Sequence, residues 1–78
     1  MERKIKLIWD FKGPGAEKTA IHHAIHLKEY VALEKLEISN IGSEILQEFH
    51  SIAFMIVSDS QMRQLRDILK PHRGELAN

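Results

Sequence analysis

The stretch Ile52–Val57, which reads IAFMIV, decides the fold of this chain of 78 residues. Successive side chains of a β-strand point to opposite faces of the sheet, so an unbroken apolar run places apolar groups on both faces. This pattern is typical of a central strand that is covered from both sides. We therefore expect the remaining elements to be arranged around residues 52–57.

The residues before this stretch predict a β-hairpin. Residues 44–49 alternate in polarity, which indicates a strand from Glu44 to Phe49. His50 and Ser51 then form the expected tip of a tight turn that leads into the central strand. This pair is neither Asn-Gly nor Gly-Gly, so the sequence leaves the register of the two strands open.

The residues after the central strand predict a helix. Ser58 and Gln61 have the spacing of a capping box, in which both side chains satisfy free N–H groups of the first helical turn. Pro71 ends this helix because proline lacks an N–H and its ring clashes with a helical backbone. The tail, Gly74–Asn78, is too short to count on as a strand, so we expect a fourth strand to be missing or vestigial. The apolar stripe of the helix consists of Met62, Leu65, Ile68 and Leu69.

A strand and a long helix are predicted at the start of the chain. Alternation over Lys4–Phe11 indicates a half-buried first strand, which Gly13-Pro14-Gly15 ends. The first helix is expected to begin near Gly15 or Ala16 and to run to about Leu36. Its core-facing stripe comprises Ala20, Ala24, Leu27 and Val31, widened on one side by Ile21, Ile25 and Ala32.

The elements follow one another as strand, helix, strand, strand, helix in a single domain of residues 1–78. In this order the chain resembles the ferredoxin-like, split βαβ layout. The resemblance implies an α+β sandwich: an antiparallel sheet with strand three between strands one and two, and both helices on one face. Without a fourth strand, strand one is an open edge that favours pairing with another copy. So short a chain buries only about 60% of its unfolded surface, which also favours a homo-oligomer.

Composition excludes several classes of protein. The chain has no cysteine, which excludes disulfides, thiol catalysis and cysteine-based zinc sites. Its 11 Lys and Arg residues balance its 11 Asp and Glu residues, so we expect neither nucleic acid nor a membrane surface as a partner. No apolar run approaches the roughly 18 residues of a membrane span, and the first residues lead directly into a strand, so we expect a cytoplasmic protein.

The segment Thr19–Tyr30 holds three of the five histidines. His22 and His26 are four residues apart, a spacing that lets one helix offer two imidazoles to a divalent transition metal. Glu29 could add a ligand or orient a ring. The alternative interpretation is that these are hydrogen-bonded histidines on the flank of an amphipathic helix. The pair also has the outer spacing of the HExxH zinc motif, but His23 stands where a metalloprotease has its glutamate base, which argues against proteolysis.

A second candidate site is expected where strand one, the hairpin turn and the second helix all finish, at one end of the sheet. The Gly-Pro-Gly loop superficially resembles a phosphate-binding P-loop, but Glu17 replaces the glycine that precedes the lysine, which argues against a nucleotide site. Free N–H groups at the start of the first helix could still bind a small anion. The residues predicted to cluster at this end as ligand-binding groups are Asp10, Lys12, His23, His50, His72 and Arg73.

These patterns predict a small homo-oligomeric module that binds a transition metal or a small anion in a ligand-binding or regulatory role. One alternative is a small oligomeric enzyme in which a histidine of the first helix acts as acid and base together with Asp10. A further alternative is a structural interaction module, which would present an apolar patch rather than a pocket.

Overall fold

The computed structural model describes residues 3–38 and 40–77. In order along the chain, the elements in this part are β1 (Lys4–Lys12), α1 (Ala16–Leu33), β2 (Ile41–Gln47), β3 (His50–Ser58), α2 (Asp59–Leu69) and β4 (Arg73–Leu76). The strands form one antiparallel sheet in the order β2-β3-β1-β4. The predicted α+β class, with strand three between strands one and two, is therefore confirmed.

The central strand is β3, as the apolar run predicts. It pairs with β1 along its whole length, from Lys4 opposite Ser58 to Lys12 opposite His50. Its other edge pairs with β2. Both helices pack on the same face of the sheet, because residues of both belong to one core with alternate residues of β1 and β3. This core consists of Leu7, Trp9, Ala24, Leu27, Val31, Ala53, Met55, Val57 and Leu65.

The opposite face of the sheet is covered by the sheet's own side chains. Ile8 and Ile52 point to this face and are only 1% and 2% exposed. The ring of Phe54 lies over Gly42, where an added Cβ would be 3.1 Å from the ring. The ammonium of Lys6 lies 4.8 Å from the centre of the same ring. The two apolar faces of β3 are therefore covered in different ways: the helices cover one face, and side chains of the sheet cover the other.

Alanines bring α1 close to the sheet. The buried residues of this helix are Ala16, Ala20, Ala24, Leu27 and Val31, and small side chains permit a short distance between helix and strands. The broader core stripe that the sequence predicts is wrong: Ile21 and Ile25 are 45% and 49% exposed, and Ala32 is exposed. These three residues lie on the flank of the helix, outside the narrow stripe of alanines that contacts the sheet.

Left-handed residues follow both helices. α1 ends at Leu33, three residues before the predicted end, and Lys35 has φ 55° just beyond it. α2 begins as its capping box predicts, with the Ser58 N–H donating to Oε1 of Gln61 at 3.0 Å. Lys70 ends α2 with φ 49°, immediately before Pro71.

In the described residues, no helix has the length and apolar character needed to cross a membrane.

The hairpin turn lies earlier than predicted. β2 ends at Gln47 and β3 begins at His50, so Glu48 and Phe49 form the turn. His50 and Ser51 are strand residues because they continue the ladder with β1, opposite Lys12 and Phe11. A bulge between Ile45 and Gln47 of β2 adjusts the register before the turn.

A short fourth strand is present. β4 has four residues and pairs with β1 over Ile5–Ile8, while Asn78, the last residue of the predicted tail, lies outside the described residues. The expectation that β1 is an open edge is therefore wrong. The free edges of the sheet belong to β2 and β4.

Candidate functional site

Asp10 joins three strands on the helix-free face of the sheet. Its Oδ1 accepts a hydrogen bond from Nε2 of His50 on β3, at 2.8 Å. From β4, Arg73 donates through Nε to Oδ2 at 3.0 Å and through Nη2 to Oδ1 at 3.2 Å. Arg73 also donates to Glu75 at 3.0 Å. The network connects the short strand β4 to the centre of the sheet.

This network makes Asp10 a stronger acid than an ordinary aspartate. The hydrogen bonds from Arg73, with a smaller contribution from His50, lower the pKa of Asp10 from 3.8 to about 2, against the opposing effect of burial. The carboxylate is therefore charged at all physiological pH values. Both of its oxygens accept hydrogen bonds, so Asp10 is suited to orienting the His50 ring.

His72 extends the β1–β4 ladder with its side chain. Its backbone N–H donates to the Ile8 carbonyl at 2.9 Å, and its Nδ1 accepts from the Asp10 N–H at 2.8 Å. Pro71, the residue before His72, has no N–H with which to continue the pairing. The imidazole of His72 instead provides an acceptor for β1 at the point where the pairing with β4 ends. With Nδ1 accepting, the neutral ring carries its proton on Nε2, which is then a donor.

His23 is packed between aromatic rings and lies apart from the Asp10 carboxylate. Its ring centre is 5.1 Å from that of Trp9 and 5.5 Å from that of Phe11. In the described part of the chain, its buried Nε2 has no hydrogen-bond partner. Burial lowers the pKa of His23, and the charges of His26 and other nearby histidines lower it further. The ring is suited to packing in its neutral form.

Of the six residues predicted to cluster at this end, the structure brings Asp10, His50, His72 and Arg73 into direct contact. His23 approaches the cluster from the helix side, where the ring of Phe11 contacts both His23 and His72. Among residues 3–38 and 40–77 we find no hydrogen bond or ion pair that joins Lys12 to this network. Asp10 makes its contacts with His50, Arg73 and His72, and the described residues show no contact between its carboxylate and the histidines of α1.

The three predicted metal ligands lie together on the exposed surface of α1. Nε2 of His26 is 2.9 Å from Nε2 of His22, and Nδ1 of His26 is 3.1 Å from a carboxylate oxygen of Glu29. Two nitrogen ligands of one tetrahedral zinc lie about 3.3 Å apart, because each Zn–N bond is about 2.0 Å long. The described residues contain no group of three or more side chains that converges on a metal position. The contact of Glu29 with Nδ1 of His26 places it where it can orient that ring.

The sequence did not predict a groove between α2 and β4. The groove has a volume of about 430 Å³. α2 packs on β1 and β3, and no third helix within residues 3–38 and 40–77 covers β4. Gly74 lies opposite Leu7 in the groove, and the absence of a side chain there keeps the groove open. The glycine within a short strand is the local sequence feature that could have indicated the groove. The strand that pairs with it, however, can be identified only from the fold. The groove is lined by Ile5, Leu7, Met62, Arg66, Pro71, His72, Arg73, Gly74, Glu75 and Leu76.

No model of a known protein family matches this chain, and no curated protein or solved structure matches it significantly. The functional conclusion accordingly rests on the geometry of these sites.

Proposed function

We propose that this protein is a binding module for a small amphipathic anion, with the groove between α2 and β4 as its binding site. The observation that carries the proposal is the groove's volume of about 430 Å³. Pockets for small molecules are typically about 300 to 1,000 Å³ and mostly apolar, with few polar groups that fix orientation.

The apolar part of the ligand would lie against the floor and walls of the groove. Ile5 and Leu7 of β1 form the floor, with Met62 of α2 on one side and Leu76 of β4 on the other. Leu76 is 63% exposed. Covering such a side chain with an apolar ligand is favourable by about 25 cal/mol per Å² of buried surface.

The negative charge of the ligand would be bound by groups at the rim. Arg66 lies on the α2 side of the groove, and its ion pair with Asp67 is long, at 3.4 Å, and exposed. Exposed pairs of this kind contribute little, so Arg66 is available to a ligand. His72 also lines the groove, next to Pro71, and Nε2 is the donor of its neutral ring because Nδ1 accepts from Asp10. The side chains of Arg73 and Glu75 alternate to the other face of the sheet, where Arg73 binds Asp10.

The first test uses the fluorescent anion 8-anilinonaphthalene-1-sulfonate as a probe of the native protein. Gly74→Leu fills the groove: a Cβ at position 74 makes only ordinary contacts, the nearest at 3.6 Å from Ile5. We expect Gly74→Leu to abolish saturable fluorescence enhancement while thermal unfolding remains cooperative.

Arg66→Gln tests the charge, with Arg63→Gln as its matched control. Both arginines are exposed on α2, but only Arg66 lines the groove. We expect Arg66→Gln to weaken binding of the anion about tenfold and to leave binding of the neutral probe N-phenyl-1-naphthylamine unchanged. Equal binding by wild type and Gly74→Leu would contradict the proposal.

A second candidate function is transition-metal binding at His22 and His26. The observation in its favour is the convergence of the two Nε2 atoms, which share a hydrogen bond of 2.9 Å that a bound metal would replace, together with the contact between Glu29 and the remaining nitrogen of His26. Metal-bound histidines commonly donate their second N–H to a carboxylate. Water or a second protein molecule would complete the coordination.

Zinc titration by calorimetry tests this site on protein without a histidine tag. We expect His22→Ala and His26→Ala to remove binding, and Glu29→Gln to weaken it by about tenfold or more. His50→Gln is the control, because His50 lies in the separate Asp10 network. Zinc binding that persists in His22→Ala would rule out this site.

A further inference from the structure

The free edge of β2 is surrounded by exposed apolar side chains. Ile45 on the strand is 58% exposed, and Ile21 of α1, which lines the same shallow pocket, is 45% exposed. Ile25, one turn further along α1, is 49% exposed, and Phe49 of the adjoining turn is 53% exposed. A strand edge with free backbone groups and an apolar margin is a template for pairing with another strand.

β2 has few of the features that prevent edge pairing. Its sequence, IGSEILQ, contains neither proline nor lysine, and its single bulge lies close to the turn. The opposite edge of the sheet is different, since β4 has only four residues and carries Arg73 and Glu75. Short, charged edges resist pairing. The two edges therefore differ in their capacity to extend the sheet.

The hydrogen-bond pattern identifies the backbone groups that β2 presents to solvent. The Ile56 N–H donates to the Asn40 carbonyl at 2.9 Å. Because hydrogen-bonded and non-hydrogen-bonded positions alternate along an antiparallel pair, Gly42 and Glu44 also bond to β3. Ile41, Ser43 and Ile45 therefore direct their N–H and C=O groups to the free edge.

We propose that β2 pairs with β2 of a second copy of this chain, antiparallel about a two-fold axis at Ser43. Each Ser43 then faces its equivalent, and Ile41 of one copy faces Ile45 of the other, twice. All three positions have free backbone groups, so the two edges form a continuous ladder. The two sheets become one sheet of eight strands, and the exposed isoleucines of both α1 helices lie beside the seam.

The distribution of charge along β2 permits a second copy in this register. With the axis at Ser43, Glu44 lies opposite Gly42 of the second copy, so no like charges lie directly opposite each other, and the two Glu44 residues are diagonal neighbours about 7 to 8 Å apart. An axis at Glu44 would place two carboxylates directly opposite each other, which is unfavourable in a sheet. The chain also has a formal net charge of zero, so two copies approach without long-range repulsion. The pairing is independent of the groove between α2 and β4.

Single cysteines test the register, because the natural chain has none. Residues in a hydrogen-bonded antiparallel pair have Cα atoms about 5.5 Å apart, within the disulfide range. We expect Ser43→Cys to form disulfide-linked dimers within minutes under mild oxidation. Gln47→Cys, whose two copies would lie about 27 Å apart at about 3.4 Å per residue, is expected to remain monomeric on denaturing gels.

Sedimentation equilibrium tests the interface itself. We expect wild type to be dimeric and Ile45→Lys to weaken association about a hundredfold, because each dimer loses two buried isoleucines. Ile68→Lys is the matched control, since Ile68 is 49% exposed on α2, away from β2. A monomeric wild type, or a dimer that tolerates Ile45→Lys and does not crosslink through Ser43→Cys, would overturn the proposal.

Discussion

At the scale of single residues, Asp10 and His23 show opposite solutions to the same problem. Each is a polar group partly withdrawn from water near one end of the sheet. Asp10 receives hydrogen bonds from His50 and Arg73 on both oxygens, so its charge is stabilised. His23 has aromatic neighbours and, among the described residues, a buried nitrogen with no partner, so its neutral form is favoured. The two residues therefore give the stability of the protein two separate dependences on pH.

We expect Asp10→Asn to lower the free energy of unfolding by about 1 to 2 kcal/mol at pH 7. The shift from 3.8 to about 2 corresponds to at most about 2.4 kcal/mol, which solvent screening reduces. Because the folded-state pKa is the lower one, this contribution is present above about pH 4 and is lost as the pH falls toward 2. Urea unfolding at several pH values measures it. Asp67→Asn, at an exposed pair, is the control and should change little at any pH.

His23→Phe is expected to stabilise the protein. Phenylalanine keeps the ring contacts with Trp9 and Phe11 and removes an unpaired nitrogen, a change of about 1 kcal/mol. The lowered pKa of His23 means that the unfolded chain binds the proton more readily. Wild-type stability therefore falls as the pH drops below about 6.5, and the variant should show a smaller fall. Thermal melting at pH 7.5 and pH 5.5 checks this, and an identical pH dependence in both proteins would contradict it.

At the scale of secondary structure, the ends of the helices depend on residues with unusual backbone angles. Lys35 and Lys70 have positive φ, 55° and 49°, although each has a Cβ that disfavours this region. At Lys70 the backbone N–H still donates to the Arg66 carbonyl at 2.9 Å, so the left-handed residue completes the last turn of α2. Such positions are normally occupied by glycine or asparagine.

Lys70→Gly should therefore raise the free energy of unfolding by about 0.5 to 1 kcal/mol, because glycine adopts positive φ without steric cost. The control is Arg63→Gly, at an exposed position inside α2, where glycine should cost about 1 kcal/mol. Chemical denaturation of the two variants measures both effects. Equal losses of stability in the two variants would contradict a left-handed conformation at Lys70.

The two strand glycines should respond differently to substitution by alanine. At Gly74 a Cβ meets nothing closer than 3.6 Å, whereas at Gly42 it lies 3.1 Å from the Phe54 ring. Gly74→Ala should gain about 0.5 kcal/mol from the better strand propensity of alanine. Gly42→Ala should be the less stable of the two variants because the Phe54 ring must move. Melting temperatures of the two variants give the comparison.

At the scale of the whole molecule, the proposed association through β2 would stabilise this short chain. Dimer formation through β2 would make the melting temperature depend on protein concentration. We expect a hundredfold increase in concentration to raise the melting temperature of wild type by about 5 °C. Ile45→Lys, whose association is weaker, should melt at a lower temperature than wild type at each concentration. Differential scanning fluorimetry across a dilution series provides the measurement, and a concentration-independent wild type would contradict the dimer.

Local patterns in the sequence were enough to predict the class of fold. The two-sided apolar run of β3 identifies the central strand, the alternation of β1 identifies its buried face, and the Ser58–Gln61 pair identifies the start of α2. These signals are short-range because strand alternation, helical periodicity and capping each involve residues only a few positions apart.

Tertiary structure decided the features on which the proposed function depends. Asp10 is hydrogen-bonded to His50 and Arg73, which are 40 and 63 positions away from it in sequence. No sequence periodicity specifies such pairs. The short strand β4 forms only because β1 offers it an edge, and that pairing creates the groove above Gly74 and leaves β2 as the long free edge. Which side chains become neighbours is determined by strand order and register, and these depend on the packing of the whole chain rather than on any one segment.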